Sequence, residues 1–107
     1  VFILRVIYTI SDLRKNLSTC FYSTGKIASI GFVPTMGALH KGHVKLIKKA
    51  RNENNIVVLS IFVNPTQFLA GEDFDKYPNT FEKDKKIAKA SGVDIIFYPQ
   101  INEIYKT

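Results

Sequence analysis

The chain has 107 residues, a formal net charge of +6 and 46% hydrophobic residues, a size that suits one small domain or part of a larger one. That apolar content excludes a disordered chain. No apolar run reaches the roughly 18 residues of a membrane helix, and the single cysteine, Cys20, excludes an internal disulfide. The positive balance suggests an anionic partner, whether nucleotide, nucleic acid or acidic surface, or else a solvated lysine-rich face.

Residues 2–8 are β-branched and aromatic and predict a strand. The apolar stretch 1–10 contains Arg5 and has no small-residue cleavage pattern, so a strand fits better than a leader. Thr9 or Ser11 caps the next helix, whose buried stripe is Leu13, Leu17 and Phe21 and whose stop is Gly25. A second strand is expected over 27–33, ended by Pro34, which has no N–H for a ladder. Gly37 then permits a sharp turn into a helix over 39–51. Leu39, Leu46, Ile47 and Ala50 would form its apolar face, opposite Lys41, Lys45, Lys48, Lys49 and Arg51. The run 56–63 reads as a central parallel strand buried on both faces. Residues 64–79 read as a loop. Asn79 caps the next helix with Glu82 at the reciprocal position; Phe81, Ile87 and Ala88 are its stripe and Gly92 its stop. A fourth strand over 93–98 and a helix near 101–105 complete the chain. Alternation of this kind predicts an α/β fold, Rossmann-like, with a parallel sheet and helices on both faces.

In such sheets ligands bind at the carboxyl ends of the strands. Residues 36–43 and 64–67 both follow strand ends and are expected to line one cleft. His40 and His43 stand at i and i+3 at the helix start, on one face and near the positive end of the helix dipole. Gly42 between them has no side chain to block a ligand. Such histidines can donate hydrogen bonds to a phosphate and, protonated, add charge. A zinc site usually needs three protein ligands, and no third is obviously placed, so no metal-ligating residue is assigned.

His40-Lys41-Gly42-His43 matches the His-x-Gly-His signature of the nucleotidylyltransferase superfamily. The flanks narrow this. Residues 33–43, 58–68 (with Ser60-Ile61-Phe62-Val63-Asn64-Pro65 and Gln67-Phe68), 72–78, 93–97 and 103–105 resemble, in order, the motifs of the pantoate–β-alanine ligase family. The resemblance implies an AMP-forming ligase of pantothenate biosynthesis, on the route to coenzyme A. Pantoate would attack the α-phosphate of ATP, giving pantoyl adenylate and pyrophosphate. The β-alanine amine would then take the acyl group, releasing AMP.

Carried onto these residues, the resemblance assigns Met36, Gly37, Ala38, Leu39, His40, Lys41, Gly42 and His43 to ATP. His43 is the expected proton donor and His40 its helper. Gln67, Pro34, Met36, Asn64, Phe62 and Tyr77 are assigned to pantoate, with Met36 and Phe62 meeting its gem-dimethyl group. It also implies Mg2+ with the ATP, a homodimer and a cytoplasmic location, with no nucleic-acid or membrane partner. Family chains are longer. They carry further ATP and pantoate contacts, a mobile loop and a smaller C-terminal domain, and have proline where Lys106 stands here. The expectation is one N-terminal nucleotide-binding domain over 1–107, inactive as a ligase by itself. The alternatives are another His-x-Gly-His nucleotidylyltransferase, or a basic nucleotide- or nucleic-acid-binding fragment.

Overall fold

The computed structural model describes residues 4–23, 29–63 and 80–104, with side chains described only to residue 18 in the first segment. Phe21, Gly25, Asn64, Gln67, Tyr77 and Asn79, each given a part above, lie outside these descriptions. The elements alternate: β1 (Arg5–Ile7), α1 (Ile10–Ser23), β2 (Ile30–Thr35), α2 (Lys41–Glu53), β3 (Ile56–Ile61), α3 (Phe81–Ser91), β4 (Ile95–Phe97) and α4 (Ile101–Ile104). The four described strands form one parallel sheet in the order β1-β4-β3-β2.

All six residues of β3 are buried, as a strand covered on both faces requires. Its side chains alternate between two cores. Val57, Leu59 and Ile61 join Val33, Leu39, Ile47, Ala88, Val93 and Ile96 beneath α2 and α3. Ile56 and Val58 join Ile7, Ile95 and Phe97, covered by Ile10, Leu13 and Leu17 of α1. Helices therefore lie on both faces of the sheet, as expected.

Three local expectations change. First, β2 runs through Pro34 to Thr35. The carbonyls of Ser29 and Thr35 accept from Ile56 N–H and Phe62 N–H of the β3 side. By strand alternation the backbone of Pro34 faces away from β3. β2 is an edge of the described sheet, so the missing N–H breaks no bond in its ladder to β3. Second, Leu46 is 57% exposed; only Ile47 is fully buried in α2. Third, α3 has Thr80 at its N-cap, and the Thr80 hydroxyl makes no cap bond within its own helix.

The other ends are regular. Thr9 caps α1, its hydroxyl accepting from Asp12 N–H at 3.1 Å. Glu103 of α4 accepts from Ile10 N–H at 2.8 Å, tying the last described helix to the first. Gly92 closes α3, its N–H donating to the Ala88 carbonyl.

Candidate nucleotide site

β2 and β3 pair in register as far as Thr35 and Ile61. Phe62 N–H then donates to the Thr35 carbonyl at 3.0 Å. The chain leaving β3 therefore starts beside the turn that leaves β2, and Pro34, Met36 and Phe62 come to one end of the sheet. Asn64, Gln67 and Tyr77 lie outside the described residues.

The turn is held from inside. Thr35 Oγ1 donates to the Ser60 carbonyl at 2.9 Å and accepts from Gly37 N–H at 3.2 Å. Gly37 has φ +87° and Ala38 has φ +52°, so two successive residues are left-handed. Glycine accepts this conformation; an alanine there costs about 1–2 kcal/mol. The geometry supplies the compensation. Ala38 N–H is shared between Asp84 Oδ2 at 2.9 Å and Thr80 Oγ1 at 3.1 Å, and Leu39 N–H donates to Asp84 Oδ1 at 2.8 Å. Thr80 Oγ1 also donates to Asp84 Oδ2 at 2.8 Å. Asp84 is 1% exposed. A buried carboxylate is tolerable when several donors satisfy it, and this one has three.

α2 begins two residues after the expected start at Leu39: His40 is the N-cap and Lys41 the first helical residue. Leu39, instead of opening the helix, is buried in the core beside it. Gly42 N–H donates to His40 Nδ1 at 3.0 Å, and His40 N–H donates to His43 Nδ1 at 3.1 Å. This is the reciprocal arrangement of a capping box, with imidazoles in place of a hydroxyl and a carboxylate. A Cβ on residue 42 would stand 2.8 Å from His40 Cε1. Glycine at 42 thus makes room for the His40 ring as well as for a ligand.

The cap sets the proton inventory. An imidazole that accepts at Nδ1 and is neutral carries its proton on Nε2. Both rings are so arranged, with centroids 4.1 Å apart. Among the described residues neither Nε2 has a hydrogen-bond partner. Burial first, and His40 second, push the His43 imidazole below its ordinary 6.5, while Asp84 pulls the other way. At neutral pH His43 is therefore an uncharged Nε2–H donor.

The sequence-based reading missed Thr35, Thr80 and Asp84. A signal for Asp84 was present: it falls on the helical stripe of Phe81 and Ala88, where a charged side chain needs buried partners. Two of the three partners, Ala38 and Leu39, stand ahead of another helix and were not readable. Among the described residues no group of three or more His, Cys, Asp or Glu comes together to hold a metal. No described helix is long and apolar enough to cross a membrane. A pocket of about 190 Å³ opens between the ends of β3 and β4, lined by Phe62, Val63, Tyr98 and Gln100 among others.

Residues 5–107 match the family model described as pantoate-beta-alanine ligase. Among curated relatives, the pantothenate synthetase of Sulfurimonas denitrificans is 64% identical over 77 residues, covering 72% of this chain and 28% of that protein. That of Aliarcobacter butzleri is 53% identical over 103 residues, covering 96% and 35%. The crystal structure of pantothenate synthetase from Thermus thermophilus superposes with a TM-score of 0.83 at 43% identity, covering 95% of this chain and 34% of that one. The Francisella tularensis pantoate-beta-alanine ligase, complexed with beta-gamma ATP and beta-alanine, gives 0.84 at 42%, covering 96% and 38%. The chain thus spans about a third of the length of these relatives. With the fold, the motif geometry and the match over residues 5–107 in agreement, the chain belongs to the pantoate–β-alanine ligase family.

Proposed function

We propose that this chain forms the phosphate-gripping part of a pantothenate synthetase, which makes pantothenate from pantoate, ATP and β-alanine through pantoyl adenylate. The observation that carries this is the paired Nδ1 capping of His40 and His43 in a member of this family. Two Nε2–H donors are left for the nucleotide phosphates. As pantoate attacks the α-phosphate, negative charge grows on the phosphoryl oxygens and the departing pyrophosphate. Donors already fixed in place stabilise that charge without reorganising. His43, the half-buried member, is the donor to the reacting phosphate, and His40 assists. Residues 36–42 line the nucleotide's path. Pro34, Met36 and Phe62 present an apolar surface for the branched body of pantoate; Gln67, Asn64 and Tyr77 complete that side.

The proposal includes Mg2+ with the ATP. Magnesium prefers oxygen ligands, but Asp84, the carboxylate against the turn, already spends both oxygens on N–H and O–H donors. The described residues near the histidines therefore do not form a seat for the ion. A homodimer and a cytoplasmic location belong to the same proposal and rest on the family resemblance. A different acceptor on the same nucleotidylyltransferase scaffold is disfavoured by the continuous family match from residue 5 to 107.

Calorimetric titration of the folded chain with ATP tests this reading. Heat of binding is expected, and His43→Ala and His40→Ala each weaken it by about tenfold, roughly 1.4 kcal/mol. A folded chain that gives no ATP heat would overturn it.

A further inference from the structure

A glycine turn leading into a helix ordinarily offers its backbone N–H groups to an anion. Here the anion is supplied by the protein. Ala38 and Leu39, the residues just after Gly37, direct their N–H groups at the Asp84 carboxylate, reached from a helix more than forty residues further along the chain. Gly37 N–H is taken by Thr35 Oγ1. Next along, the N–H groups of His40 and Gly42 are taken by imidazole nitrogens. Among the described residues the N–H groups of 37–40 and 42 are therefore all taken, while the two Nε2–H groups have no partner.

We propose that Asp84 is a positioning residue for nucleotide binding: by filling the backbone anion cradle at Ala38 and Leu39 it moves the phosphate contact outward to His40 and His43. The inference rests on the nucleotide reading above. Asp84 acts through the turn and does not touch the nucleotide. Thr80 is its accessory, since its hydroxyl bridges the carboxylate and Ala38 N–H. Without the charge, the left-handed pair Gly37-Ala38 loses what offsets its strain, and the His40 cap that follows loses its fixed starting point.

The experiment compares four forms of the 107-residue chain: the parent, Asp84→Asn, Thr80→Val and Val93→Ala. Val93 is fully buried and follows α3 at its C-terminal end, opposite the end that carries Thr80 and Asp84, so it controls for general destabilisation. ATP affinity is read by calorimetry and the exchange rates of the Ala38 and Leu39 amides by NMR. Asp84→Asn is expected to weaken ATP by about tenfold and Thr80→Val by about threefold, with faster exchange at both amides, while Val93→Ala stays within about twofold. An Asp84→Asn chain that binds ATP within about twofold of the parent, or loses no more than the Val93→Ala control, overturns the proposal. Should Asp84→Asn not fold, Thr80→Val decides by the same twofold limit. Absence of ATP binding in the parent overturns the nucleotide reading and this one with it; binding kept by Asp84→Asn overturns this one alone.

Discussion

The two ends of the sheet each use a carboxylate to organise backbone, and they do so differently. At the amino end, Asp94 Oδ2 accepts from Val57 N–H at 2.8 Å and pairs with Arg51 at 2.6 Å. Arg51 also donates to the carbonyls of Gly92, Asn54 and Asn55. The end of α2, the end of α3 and the start of β3 are thereby fastened together, with charge balancing charge. At the carboxyl end, Asp84 is held by N–H and O–H dipoles, with no cation among its hydrogen-bond partners in the described residues, and it is buried more deeply. The first arrangement closes on itself. The second stands beside the histidine cap, whose two Nε2 atoms have no hydrogen-bond partner among the described residues.

This contrast predicts unequal responses to substitution. Asp84→Ala strands Leu39 N–H and the Thr80 hydroxyl proton and leaves Ala38 N–H to Thr80 Oγ1 alone; a stranded donor costs about 1–3 kcal/mol, so a loss of roughly 3 kcal/mol is expected in urea denaturation. A loss below about 1 kcal/mol would show that the carboxylate is not what holds the turn. Arg51→Ala should cost less, about 1–2 kcal/mol, because its pair with Asp94 is 30% and 23% exposed and water screens it. Raising the salt to 1 M should shrink the Arg51 effect and leave the Asp84 effect nearly intact. Were Arg51→Ala the more damaging of the two, the assignment of the amino end as the less critical lock would be wrong.

The smallest effect concerns pH. The folded-state value of His43 lies below its ordinary 6.5, so the unfolded chain binds more protons just below that pH. The stability this contributes is complete above 6.5 and is lost as pH falls from there towards the folded-state value. His43→Gln keeps an acceptor for His40 N–H but cannot titrate, so its stability should fall less steeply over that window. Equal slopes for the two chains would mean that burial and the neighbouring His40 do not keep the His43 ring uncharged.

Much of the carboxyl end was legible in the linear chain. An almost unbroken apolar run marked β3, because a strand covered on both faces needs apolar side chains at nearly every position. The i, i+3 spacing placed His40 and His43 on one face before any contact was known. The motif flanks carried the family. Pro34 was misread because a missing N–H ends a strand only if that N–H faces a partner, and which way it faces depends on where the strand lies in the sheet. Leu46 was misread for a related reason: α2 presents a narrower stripe to the sheet than its composition offers, and Leu46 falls outside it. Asp84 was passed over among the lysines of α3. Its role exists only because β2 and α3, distant in sequence, bring a carboxylate and two N–H groups within 3 Å of each other. Periodicity and spacing follow from the geometry of each element taken singly, whereas the partner of a buried charge depends on how the elements pack.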